Sequence, residues 1–159
     1  MKRCVLWVVC AVFMLCVISS ASKAFAEHQH SVGLDVMRLF DEGNYGGMFG
    51  ASYQISMTPR TAFVGTIARR SGFLILEGLW KVYGHTYFDG PFVAVGLAGG
   101  TYHDKGEIGL MGSLGYEKSL ARNVVLSGRV DCTWGTMDHP TTAHRSPIFR
   151  SGLDLVFAF

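Results

Sequence analysis

Beyond residue 30, apolar residues recur in this chain at every second position, in short runs separated by turn residues. A period of two is what a β-strand produces when its two faces meet different surroundings, because successive side chains point to opposite sides. Eight such runs can be marked off, at 31–40, 47–57, 61–69, 73–83, 91–102, 108–118, 124–134 and 147–159. One face carries Val32, Leu34 and Val36, then Phe49, Ala51, Tyr53 and Ile55, then Leu74, Leu76 and Trp80. It continues through Val93, Val95, Leu97, Ile108, Leu110, Leu114 and Tyr116 to Val124, Leu126, Val130, Trp134, Leu153, Leu155, Phe157 and Phe159. The opposite face is small, polar or charged: Gly33, Asp35, Gly50, Ser52, Gln54, Glu77, Gly96, Gly109, Ser113, Gly115, Ser127, Arg129, Asp131, Arg150, Gly152 and Asp154. The third run, TAFVGTIAR, fits either phase. The expected fold is all-β, a closed eight-stranded antiparallel barrel.

Alternation alone does not say which face is wet. A soluble barrel turns its apolar face inward, and a barrel in a bilayer turns it to lipid. Three features favour the bilayer. The first is export. Lys2 and Arg3 precede an uncharged apolar stretch, CVLWVVCAVFMLCVI, and Ala24-Phe25-Ala26 follows as a small-residue cleavage site. This is the pattern of a secretory signal peptide cut after Ala26, and 15 apolar residues are too few to span a bilayer as a helix. Cys10 and Cys16 follow Val9 and Leu15, where a lipid-modified cysteine would need a small residue before it. Residues 27–159 are then the barrel domain. Removal of 1–26 takes Cys4, Cys10 and Cys16, so Cys132 stands alone among 133 residues and no internal disulfide is expected. It also takes Lys2, Arg3 and Lys23, which turns the formal net charge from +2 to −1. A nucleic-acid partner loses its electrostatic basis.

The second feature is the Gly- and Ser-rich polar face, which suits the narrow interior of eight strands and leaves no water-filled channel. Several runs are near the ~9–11 residues that a tilted strand needs to cross a bilayer. The third is the chain end. Unpaired backbone groups in hydrocarbon cost several kcal/mol each, so the last strand must pair with the first.

The final run, RSGLDLVFAF, places Arg150, Gly152, Leu155, Phe157 and Phe159 in the order polar-x-Gly-x-x-apolar-x-apolar with a terminal Phe. This resembles the assembly signal of bacterial outer-membrane barrels. With the leader and the eight runs, the whole of 27–159 resembles the small barrels of the OmpX type and the membrane domain of OmpA. The resemblance implies a location in the bacterial outer membrane, with both termini in the periplasm. It implies contact with outer-membrane lipid and lipopolysaccharide, insertion by the barrel-assembly machinery, and a monomer. It also implies outer loops, near 41–46, 70–72, 103–107 and 135–146, that meet extracellular molecules or a host surface. A weak internal echo, YQISMTPRTAF (53–63) and YEKSLARNVVL (116–126), reads as two similar hairpins with short periplasmic turns. Trp80, Trp134, Tyr53, Tyr83, Tyr87 and Tyr116 fall near strand ends and suit interfacial aromatic girdles.

Chemistry has few candidates. Asp35, Glu77, Arg129, Asp131, Arg150 and Asp154 share the inner face, where interleaved acids and bases can satisfy one another. Arg129 with Asp154 and Asp131 with Arg150 are the pairs expected between the last two strands. Paired carboxylates can also do acid–base work, which keeps a lipid A-modifying enzyme as an alternative. The His-x-Ser-Asn motif of lipid A deacylases is absent, since His28 precedes Gln29-His30 and His144 precedes Arg145-Ser146-Pro147. The amphipathic N-terminal helix of palmitoyltransferase barrels does not occur between Glu27 and Ser31. His103, His139 and His144, with Asp104 and Asp138, fall on outer loops, but loop spacing does not make a metal site. No catalytic residue, metal or cofactor is assigned. The expected role is structural or surface-interacting rather than that of an efficient pore. A soluble lipocalin-like barrel for a small apolar ligand is the other alternative.

Overall fold

A strand with one apolar and one polar face satisfies both its side chains and its backbone only inside a closed sheet, and the chain forms one. The computed structural model describes residues 29–40, 47–70, 72–102, 105–135 and 147–159. The expected leader, with Ala24 and Ala26, lies outside them, as do His28, His103, Asp104, Asp138, His139 and His144. The strands are β1 (His30–Asp35), β2 (Phe49–Thr58), β3 (Thr61–Arg70) and β4 (Phe73–Tyr83), followed by β5 (Gly90–Tyr102), β6 (Lys105–Ala121), β7 (Val124–Gly135) and β8 (Ile148–Ala158). A short helix, α1 (Val36–Phe40), follows β1.

Each strand pairs antiparallel with its sequence neighbour, and β8 pairs with β1 to close the barrel. The seam runs from Ser31 opposite Ala158 to Asp35 opposite Asp154. It extends to the last residue, where Phe159 N donates to His30 O at 2.9 Å and His30 N to Phe159 O at 3.3 Å. The backbone of Phe159 is thus part of the ladder, and its ring stacks on that of His30 at 6.2 Å between centroids.

Burial is inverted relative to a water-soluble protein. Ile108, Leu110 and Leu114 are 68%, 64% and 65% exposed, whereas Glu117 and Asp131 are 0% and 1% exposed. A continuous exposed apolar belt around a closed wall is a surface made for hydrocarbon. The chain is therefore a membrane-type barrel with its polar face inside.

Three expectations need correction. The first run is not a strand to residue 40. β1 stops at Asp35, and Asp35 Oδ1 caps α1 by accepting the Arg38 N–H at 3.1 Å. Continued as a strand, Arg38 would share the parity of Val32 and Leu34 and point into lipid, where a central Arg costs about 2–4 kcal/mol. The helical turn brings its side chain inside instead, where it is 2% exposed. Tyr83 and Tyr87 belong to no girdle, because Tyr83 faces the lumen and is buried and Tyr87 packs edge-on against it inside. The sixth strand is longer than 108–118, reaching from Lys105 to Ala121. The undecided third run takes the phase that puts Phe63 and Ile67 outward and Ala62, Val64, Thr66 and Ala68 inward.

The hairpin echo has a structural counterpart. Both hairpins turn through two residues, Pro59–Arg60 and Arg122–Asn123, and each carries a register shift at the matching place, between Ser56 and Thr58 and between Ser119 and Ala121. The shared Ser-[Met/Leu] pair marks that bulge. These turns and the 84–89 connection lie on the rim that holds His30 and Phe159. The far rim carries α1 and Gly72.

The lumen is filled. Near the far rim Met48 packs on Ala68 and Ile75, and on the mid-wall Val64, Leu79, Ala94, Ala98 and Met111 cluster. At the terminal rim the 84–89 connection folds inward, tied by Tyr87 N to Pro59 O at 2.9 Å. It drives Phe88 among Val125, Val156 and Ala158. Phe88 has φ 66°, a left-handed conformation costing roughly 1–2 kcal/mol for a residue with a Cβ. Burial of its ring offsets that strain.

Candidate functional site

Strand parity aims Asp35, Glu77, Asp131, Arg129, Arg150 and Asp154 at the barrel axis, and the structure brings all six into one cluster with Arg38 of α1. The contacts close a ring of alternating sign. Asp35 pairs with Arg38 (Oδ2 to Nε, 3.1 Å), and Arg38 bonds Glu77 across the lumen. Glu77 Oε1 accepts from Arg150 Nη1 at 3.2 Å, and Arg150 Nη2 donates to Asp131 Oδ2 at 2.6 Å. Arg129 Nε donates to the same oxygen at 3.1 Å, and its Nη2 returns to Asp35 Oδ2 at 3.0 Å. Asp154 hangs from the ring through Arg129 Nη1, and Ser113 Oγ donates to Asp131 Oδ1 at 2.7 Å. Of the two pairs between β7 and β8, Asp131 and Arg150 are direct ladder partners. Arg129 stands opposite Gly152 and reaches diagonally to Asp154. A Cβ at Gly152 would come within 3.0 Å of that arginine side chain.

A second ring lies nearer the terminal rim. Lys81 Nζ donates to Gln54 Oε1 at 2.9 Å and to Glu117 Oε1 at 2.6 Å. Tyr83 OH donates to Glu117 Oε2 at 2.7 Å and accepts from Gln54 Nε2 at 2.9 Å. The ammonium also sits 4.2 Å from the centre of the Phe92 ring, a cation–π distance. Sequence reasoning passed over Lys81 and Glu117, although extending the period-two count from Glu77 and from Ser113 reaches both. Arg38 had no such signal, because its parity pointed outward; only the Asp35 cap gave it away.

Every carboxylate in these rings is bonded to a cation, and all lie within a wall of strands. Such an arrangement holds geometry across the lumen and commits each of these carboxylates to a cation. The described residues contain no group of three or more His, Cys, Asp or Glu placed to hold a metal ion. His30 Nδ1 is 2.7 Å from Tyr53 OH on the outside of the barrel.

The residues of the expected assembly signal fall on both faces. Arg150 and Gly152 belong to the lumen, while Phe157 and Phe159 face outward. Leu155 also faces outward but is covered, packed with Val124 beside Val36 and Phe157.

The chain matches no known protein-family model and no curated protein. Among solved structures it is similar to the crystal structure of the N-terminal β-barrel domain of Pseudomonas aeruginosa OprF, with a TM-score of 0.59. Identity is 13%, over 82% of this chain and 95% of that one. At this identity the likeness is one of fold, that of a small eight-stranded outer-membrane barrel.

Proposed function

We propose that the protein is a non-enzymatic wall element of the outer membrane, oriented with both termini in the periplasm and its far-rim connections outside. In this reading the lumen is a stabilised core rather than a conduit, the outer connections meet extracellular molecules or a host surface, and the barrel acts as a monomer. Residues 1–26 direct export, and the end of β8 is read by the barrel-assembly machinery. The observation that supports this most is the pair of hydrogen-bonded rings across the lumen, with Met48 above and Phe88 below. Ion flow would require breaking buried charge pairs, each break costing about 3–5 kcal/mol.

The test is conductance of the purified, folded barrel in planar bilayers, together with mass spectrometry of lipid A from a strain lacking the gene. No steady conductance and an unchanged acyl pattern are expected. A reproducible open channel would overturn the closed-lumen reading. A changed acyl pattern restored by complementation would overturn the non-enzymatic one.

A further inference from the structure

The lipid-facing wall is grooved on one side. Ala51 on β2 and Gly65 on β3 face outward between larger neighbours, and Gly65 stands opposite both Tyr53 and Gly78 in the ladder. They floor a groove of about 460 Å³ walled by Val32, Tyr53, Ile67 and Leu76. A second groove, of about 370 Å³, runs on the other side of Leu76, floored by Gly99 and walled by Leu74 and Ile108. Leu76 lines both and forms a ridge between two apolar grooves.

A cation stands at the head of that ridge. Arg69 follows Ile67 on the same face of β3, directly opposite Leu74 and Phe49, and is exposed. Arg70 is exposed beside it at the rim. Among the described residues neither has an ion-pair partner, in contrast to the paired guanidiniums of Arg38, Arg129 and Arg150 in the lumen. At ~3.3 Å per residue, Arg69 lies roughly 13 Å along the strand from Gly65, so the guanidinium reaches the interface while the grooves lie in hydrocarbon.

We propose that this face binds one phosphorylated, multiply acylated glycolipid of the outer leaflet, of the lipid A type. A phosphate sits on the Arg69 guanidinium with Arg70 beside it, and acyl chains lie in the two grooves astride Leu76. The guanidinium fork matches phosphate geometry, and two adjacent cations suit a headgroup bearing more than one phosphate. Paired grooves below one cationic cluster call for a lipid with several chains, and filling them recovers packing that a bare groove forgoes. The inference rests on the orientation proposed above, which puts the far rim outside.

The experiment is native mass spectrometry of the refolded barrel in detergent, titrated with bisphosphorylated, hexa-acylated lipid A and with phosphatidylglycerol. Preferential retention of one lipid A is expected. Arg69→Ala should weaken it about tenfold, the loss of one charge-assisted contact. Gly65→Leu projects into open space, with no atom within 4 Å of its Cβ, so the barrel should fold while lipid A binding falls. Gly128→Leu, equally open but on β7, should leave binding unchanged. Equal retention of both lipids, unchanged binding in Arg69→Ala, or equal loss in Gly128→Leu would each overturn the site. Orientation is read separately by labelling Arg70→Cys, in a Cys132→Ser background, with a membrane-impermeant maleimide on intact cells. Labelling without lipid A preference overturns the site alone; no labelling overturns the orientation and the site with it.

Discussion

Replacing Arg129 by methionine keeps most of the aliphatic stem but removes the guanidinium that ties Asp35, Asp131 and Asp154 together. Removing one partner of a buried ion pair costs about 3–5 kcal/mol. The upper end applies here, because Asp35 and Asp154 are direct partners across the closing seam and like charges directly opposite destabilise a ladder. Asp154→Asn should behave differently. The cluster holds four carboxylates, Asp35, Glu77, Asp131 and Asp154, against three guanidiniums, Arg38, Arg129 and Arg150. Neutralising Asp154 balances the cluster and weakens one charged hydrogen bond, for about 1.5–3 kcal/mol at most. The double variant should lose less than the sum of the singles, by a coupling of about 1–3 kcal/mol. Reversible urea unfolding in phospholipid vesicles, followed by the fluorescence of Trp80 and Trp134 and by the gel mobility of unheated samples, measures all three. Equal losses for Arg129→Met and Asp154→Asn, or strictly additive losses in the double, would refute the charge-balance reasoning.

Three other perturbations probe different parts of the barrel. Deleting Phe159 should lower the amount folded in the membrane and raise periplasmic degradation, and Phe159→Asp should do so more strongly because it puts a charge on the outer face; unchanged levels in both, by membrane fractionation, would remove the assembly role. Phe88→Ala should cost about 3–5 kcal/mol by emptying the lower lumen, and Phe88→Gly about 1 kcal/mol less because φ is 66°. Unfolding experiments that find alanine the better replacement would contradict the strain argument. A Cβ at Gly96 would overlap the Gly78 carbonyl, whereas one at Gly65 meets nothing within 4 Å. Gly96→Ala should therefore give no heat-modifiable folded band and Gly65→Ala a normal one; a normal band from Gly96→Ala would refute the close approach.

Which face of a strand a residue occupies is local information, carried by the parity of its position, and the sequence alone determined it over most of this chain. Ile108, Leu110 and Leu114 against Ser113 and Gly115 need no partner to declare two unlike surfaces. The chain end was legible for the same reason, since a barrel in lipid must pair its last strand. What parity could not reach is whatever depends on a partner or on leaving the strand. TAFVGTIAR has small or apolar residues on both faces, and only its neighbours β2 and β4 decide that Phe63 and Ile67 meet lipid. Arg38 changes sides because α1 breaks the alternation, so the local count put it on the wrong face. Phe88 is drawn into the lumen by a connection whose length says nothing about where its ring goes. The two charged rings are the extreme case: Glu77 meets Arg38 and Arg150 from across the barrel. Which acid faces which base depends on the register accumulated around the closed wall, and that sum exists only once β8 has met β1.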